Sequence, residues 1–233
     1  MKMKKIRIMI LAALMLLPSV RSFAQDDQFI FDMPDDFAEM DTLPQPQRFK
    51  SIHMVGVKYS YDLCYVNSSP RVGQSYLYSP VNLEIAYTYY HALWDHLFNF
   101  GLQVGVKYGT KGYKSEYAGY GDVNTVIEFP LISQFKIDVS RFRILADIGP
   151  YYGYRLDTAK PEGWDQYDIR HDYGFIGGVG VAMVFGRFDL QVEGCYQYSL
   201  CSMYHTNKFS DVYWLFTCPR NILLSAGIFF HLW

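Results

Sequence analysis

Eight charged residues stand where a two-residue alternation puts them on one face: Lys58, Glu84, Lys107, Glu128, Arg143, Asp147, Arg155 and Glu193. Both signs are present. Side chains of this kind, turned into a shared narrow interior, can pair and fill it, or they can line a polar path for a small solute. Pairing is the expected arrangement. A second group, His171, Asp172, His205, Ser210 and Asp211, could supply a base and a nucleophile for hydrolysis or acyl transfer. Such chemistry needs two titratable groups held within hydrogen-bond reach. No motif or spacing fixes these five together, so they read as solvated loop residues and no catalytic residue is assigned. His91 and His96, with Asp95 between them, fall short of a metal ligand set and read as turn residues. No cofactor or metal is expected.

Cys64, Cys195, Cys201 and Cys218 all fall at or near the ends of the longer connections. An oxidising compartment would permit disulfides. A Cys201–Cys218 bridge would staple the longest connection; Cys195–Cys201 is the rival, and free buried thiols are a third outcome. Those connections are also rich in aromatic residues. Tyr113, Tyr117 and Tyr120 recur among glycines, and Trp164, Tyr213 and Trp214 follow later. Tyrosine with glycine and serine makes an adaptable binding surface. Packing at the outer lipid interface is the plainer role for the same rings.

The elements that position these residues are strands. In the second segment, Val81, Leu83, Ile85, Tyr87 and Tyr89 oppose Asn82, Glu84, Ala86 and Thr88. In the third, Phe98, Phe100, Leu102, Val104, Val106 and Tyr108 oppose Asn99, Gly101, Gln103, Gly105, Lys107 and Gly109. Alternation this strict marks strands with unlike solvents on their two faces. From Ser51 onward the segments are joined by stretches of 17, 6, 13, 5, 15, 2 and 21 residues, a long and short rhythm. Eight strands with tight turns on one side and long loops on the other are the unrolled form of a membrane β-barrel. Each segment is close to the ~9–11 residues a tilted strand needs to cross a bilayer. Pro130 and Pro150 cannot donate ladder bonds and predict local breaks. A ten-strand count is the alternative, with Val212–Thr217 adding a hairpin.

The N-terminus reads differently. Lys2, Lys4, Lys5 and Arg7 precede an apolar run, and Ser22-Phe23-Ala24 supplies small residues for cleavage. Residues 1–24 are therefore expected to be a secretory signal. Five of the 21 basic residues lie in it, so the mature chain would carry 16 basic and 23 acidic residues, a net charge of −7. A nucleic-acid partner is not expected without a clustered basic surface. Residues 25–50 are acidic and interrupted by Pro34, Pro44 and Pro46, and read as a disordered periplasmic segment. Asp26–Lys50 is either a solvated linker or a dock for an envelope partner. Residues 51–233 are expected to form the barrel.

Three short motifs in order, Glu128-Phe129-Pro130-Leu131, Gly149-Pro150-Tyr151-Tyr152-Gly153-Tyr154 and Gly174-Phe175-Ile176-Gly177-Gly178-Val179-Gly180, carry a resemblance. With the terminal Trp233, the stretch from Phe49 onward resembles the PorT-type outer-membrane β-barrel family of Bacteroidetes. The resemblance implies an eight-stranded barrel in the cell envelope, with some members assisting protein secretion. The expectation is thus an all-β, up-and-down antiparallel transmembrane barrel, reached after signal cleavage and surrounded by outer-membrane lipid. Its role would be non-enzymatic, as a surface protein or an accessory subunit of a secretion or envelope complex. A small-solute channel is the alternative, and an enzyme at the outer rim is less favoured.

Overall fold

The computed structural model describes residues 51–69, 74–92, 99–115, 121–139, 142–208 and 216–232. Residues 1–24, expected to be a signal, residues 25–50, expected to be a disordered segment, and Tyr117, Tyr120, Ser210, Asp211, Tyr213, Trp214, Asp95, His96, Phe98 and Trp233 lie outside them. Among the described residues nine strands run in chain order: β1 (Ile52–Ser69), β2 (Gln74–Ser75), β3 (Leu77–Ala92), β4 (Asn99–Ser115), β5 (Asp122–Val139), β6 (Phe142–Thr158), β7 (His171–Phe185), β8 (Phe188–Ser199) and β9 (Phe216–His231). All but the two-residue β2 belong to one antiparallel barrel. Each pairs with its sequence neighbour, and β1 pairs with β9 from Met54↔His231 to Ser69↔Phe216 to close the ring. Eight strands complete the closure, so the ten-strand alternative does not arise. Phe216 and Thr217 start β9 rather than adding a hairpin.

Period-two sequence becomes a two-faced wall because successive side chains leave a strand on opposite sides. On the outer face Ile85 is 63% exposed and Val179 67%, whereas the inward Ala86 and Ala182 are at 1% and 0%. Val57, Leu102, Val104, Ile144, Val192, Leu224 and Ile228 continue this outer belt. Aromatic rings edge it. Phe100 meets Phe135 at 5.4 Å and Phe188 meets Phe230 at 5.2 Å on the short-turn side. Tyr65 meets Tyr76 at 5.5 Å on the long-loop side. Apolar exposure on this scale is stable in lipid and not in water, and the two girdles match the two headgroup layers.

The strands are longer than a bilayer requires. β1 and β5 have 18 residues and β4 and β6 have 17. At ~3.3 Å per residue an 18-residue strand is about 60 Å long. Tilted, it outreaches the ~25 Å apolar band of such barrels. Stretches expected as loops, Asp62–Ser69 and Lys111–Ser115 among them, are therefore strand, extending the wall on the loop side. Cys64 and Cys195 accordingly sit inside β1 and β8, facing the lumen, rather than at loop ends. The breaks expected at Pro130 and Pro150 appear as gaps in pairing without a change of register. Val104↔Leu131 and Lys107↔Glu128 flank one gap; Pro130↔Tyr151 and Ser133↔Ile148 flank the other. Gly186, at φ +60°, makes the two-residue turn into β8, a conformation that glycine adopts without strain.

A charge placed on the belt tests this orientation. Val104→Arg is expected to destabilise the barrel in vesicles by ~2–4 kcal/mol if the site is near the bilayer midplane. Urea titration of the folded form in lipid measures it.

Candidate functional site

The inward faces of the eight strands converge on a polar core, arranged in tiers. At the short-turn end, Met54, Ala86, Tyr90 and Phe229 form an apolar plug. Lys136 lies 4.5 Å over the Tyr90 ring, and the Tyr90 hydroxyl donates to Gln134. Arg143 bridges Asp138 (2.9 Å) and Asp189, and His231 Nε2 meets Asp189 at 3.0 Å. The next tier holds Lys58 against Glu193 (2.7 Å) and Lys107 against Asp62 (2.6 Å). Gln134 donates to Asp147 at 2.8 Å and Gln103 to Glu84 at 3.4 Å. Toward the loops, Lys111 pairs with Glu128 and lies 3.7 Å from Asp172. Asp172 also accepts from Ser199 Oγ at 2.5 Å and from the Tyr151 hydroxyl at 3.3 Å.

All eight charges expected on the inner face point inward. Lys58–Glu193 joins two of them directly. Lys107, Glu128 and Arg143 pair instead with residues outside the set. Arg155 is 3% exposed; its Nη1 donates to the Ile169 carbonyl and its Nη2 has no partner among the described residues. Asp62, Lys111, Asp122, Lys136, Asp172 and Asp189 complete the network, and the eight do not include them. Their signal is phase: Asp62 continues the even-numbered face of Lys58 and Ser60, and Lys111 continues that of Lys107 and Gly109.

Two described connections meet at the loop-side mouth. Residues 159–170 and 200–208 cross it and are tied together by backbone bonds, Ile169 N to Met203 O and His205 N to Tyr167 O, both 2.9 Å. Tyr204 reaches down to Asp122 at 2.8 Å, with Lys160 and Lys208 over its ring at 5.0 and 4.1 Å. Asp168 takes Lys160 at 2.9 Å and Lys208 at 2.5 Å. Burial would push the Asp168 carboxyl up. Bonds from Lys208, the Asp165 amide and Lys160 outweigh burial and hold it below the usual range. Burial would lower Lys160, but Asp122 and Asp168 hold it above the usual range. Burial and the Asp122 carboxylate push the Tyr204 phenol up.

The remaining expected site residues are dispersed. His171 and Asp172 are consecutive on β7 and therefore face opposite sides. His171 shares a 2.6 Å hydrogen bond with the outer Tyr152 hydroxyl, while Asp172 is in the lumen. His205 is exposed in the cover loop. His91, near the end of β3, lies 3.4 Å from the Tyr89 hydroxyl. Tyr113 packs against Val66, Met203 and Tyr204 within the wall and cover. Trp164 lies under the Arg170 guanidinium at 4.8 Å. The Cys201–Cys218 bridge is not formed, and all four cysteines are free thiols. Cys201 Sγ is turned to the Ser202 carbonyl at 3.4 Å, and burial pushes its thiol up.

No family model matches the chain, and no curated protein matches its sequence. Among solved structures it is similar to Neisserial surface protein A, at 13% identity and a TM-score of 0.46, covering 76% of this chain and 96% of that one. It is similar to the attachment invasion locus protein of Yersinia pestis, at 13% identity and a TM-score of 0.41, covering 77% and 97%. It is also similar to a major outer membrane protein of Thermus thermophilus, at 12% identity and a TM-score of 0.45, covering 76% and 99%. Overlaps of this size carry no functional weight. The barrel assignment stands on the strand pairing itself.

The tiers and the cover can each be tested. Lys107→Met leaves Asp62, at 0% exposure, without its cation. Breaking a buried pair this way is expected to cost ~3–5 kcal/mol, and adding Asp62→Leu to recover much of the loss. Urea unfolding of the single and double variants decides it. For the cover, the depressed Asp168 carboxyl contributes stability above the ordinary carboxyl range, and that contribution is lost as pH falls through its folded value. Intrinsic-rate-corrected hydrogen exchange at the Ile169, Met203 and His205 amides should quicken on acidification, and in Asp168→Asn at neutral pH.

Proposed function

We propose that this chain is a non-enzymatic outer-membrane barrel that acts as a sealed surface scaffold or as an accessory subunit of a secretion or envelope complex. The observation that carries the proposal is the union of a lipid-compatible outer belt with an interior of buried ion pairs and with bonded connections, residues 159–170 and 200–208, at its mouth. A permeation path needs mobile water along its length, and here buried carboxylates and cations of neighbouring and next-but-one strands pair inside the narrow lumen instead. That weighs against the small-solute channel. The separation of His171 from Asp172 by the wall weighs against the rim enzyme built on that pair.

The exported barrel would present residues 159–170 and 200–208 outside the cell and the tight turns to the periplasm. The acidic Asp26–Lys50 segment would then be available to an envelope partner on the periplasmic side. The subunit role draws on the resemblance to PorT-type barrels.

Planar-bilayer recordings of the folded protein should show no unitary steps. Reproducible single-channel openings would refute the sealed reading. Mild crosslinking of cells carrying a tag placed after Asp27 should recover a stoichiometric envelope partner if the chain is a subunit; recovery of the barrel alone would leave the stand-alone scaffold.

A further inference from the structure

A pocket of about 440 Å³ lies beside the loop-side end of β1, lined by the outward Tyr65, Asn67, Tyr196 and Arg220 together with Val66, Ser68 and Gln74. We propose that Arg220 and this pocket bind the phosphoryl group of an outer-leaflet lipid. The inference rests on the outer-membrane reading above and names a ligand for that surface.

Arg220 is placed by register. On β1, Leu63 pairs with Ile222 and Tyr65 with Arg220; on β8, Tyr198 pairs with Arg220. The guanidinium therefore sits one outward step past the last aliphatic residue, among tyrosines of the upper girdle. Headgroups lie at that depth. Its carbon lies 3.3 Å from the centroid of the outward Tyr198 ring, and the Tyr65 and Tyr196 hydroxyls share a 3.0 Å hydrogen bond across β9. β1 outruns β3 beside the pocket. Their pairing ends at Cys64↔Leu77, and the Gln74 side chain then bonds the β1 edge, accepting from Val66 N at 3.0 Å and donating to Val66 O.

Among the described residues the charge of Arg220 has no counter-charge. The residue is 7% exposed, yet no carboxylate of the described residues lies within ion-pair distance of it. Nη1 donates to the Ser199 carbonyl at 2.6 Å and the Pro219 carbonyl at 3.2 Å, both neutral. Nε and Nη2 make no bond to a described residue. A buried cation normally has an anion, as Lys58, Lys107 and Lys111 do in the lumen. A planar guanidinium with donors to spare matches phosphate oxygens in a forked geometry. Ile222 and Leu224 follow on the same outward face of β9, where acyl chains attached to that phosphate would lie.

Native mass spectrometry in a neutral maltoside detergent tests the site with three probes: dilauroyl phosphatidic acid, dilauroylglycerol and inorganic phosphate. The wild type should retain one phosphatidic acid, and Arg220→Gln should retain it about tenfold less well, the usual weight of a lost charge-assisted contact. Arg220→Lys, which keeps charge and loses the fork, should fall between. Dilauroylglycerol retained as well as phosphatidic acid, or equal retention by wild type and Arg220→Gln, would overturn the proposal. Inorganic phosphate binding as tightly as phosphatidic acid would overturn the lipid source and leave a soluble phosphate site. If Arg220→Gln loses the heat-dependent gel shift of the folded barrel, the three-probe comparison in wild type and the Arg220→Lys variant still decide. A wild type without that shift would instead count against the membrane reading on which the site rests.

Discussion

Everything in this molecule follows from the requirement that a strand in lipid leave no backbone N–H or C=O unpaired. The β1–β9 ladder meets it by closing the sheet, with pairing held along β1 from Met54 onward. Closure with only eight strands fixes a narrow bore. The bore then constrains each inward position. A Cβ on Gly56 would lie 2.5 Å from the Phe229 ring, and one on Gly180 2.6 Å from Glu193. Small residues on one strand make room for large ones on the next. The interior is filled by complementarity between neighbouring strands rather than by a separate core.

Filling a narrow bore with charge is stable only where signs meet. Lys58 with Glu193 and Lys107 with Asp62 join strands separated by one other, so each pair ties three neighbouring strands together from inside the lumen. Buried pairs are weak net stabilisers against an apolar filling, but losing one partner is costly. They therefore specify one register. A one-residue slip in β1 would turn Lys58 and Asp62 into lipid and the belt residues Val57 and Tyr59 into the lumen. The cover uses the same chemistry in a wetter setting. Asp168 and Asp122 gather Lys160, Lys208 and Tyr204, and acid rather than base is the direction in which the Asp168 contribution weakens.

Most of the barrel was legible in the sequence because its two solvents impose period two. Val81 to Tyr89 and Phe100 to Tyr108 could hardly be read otherwise. Less legible was where each strand stops. Once β1 leaves the apolar band its outward residues become Asn67 and Ser69, and the amphipathic contrast that reveals a strand disappears. The inward phase persists through Asp62, Cys64, Val66 and Ser68, but those residues look like loop composition when read in order. The lumenal role of Asp62, Lys111 and Asp172 was hidden for the same reason. Arg220 was hidden differently: it occupies an outward position, where a charge contradicts the belt, and only its place among Tyr65, Tyr196 and Tyr198 explains it.

The central claim, a lumen sealed by its own ion pairs, can be read from the four native thiols. Cys64 and Cys195 face the lumen, and Cys201 and Cys218 stand partly exposed at the rim. The folded protein in lipid vesicles would be treated with a small cationic methanethiosulfonate reagent and the sites mapped by mass spectrometry. The account requires labelling at Cys201 and Cys218 while Cys64 and Cys195 stay unmodified until the barrel is unfolded. Prompt labelling of Cys195 in the folded state would contradict it, because a water-filled path would then run past Lys58 and Glu193.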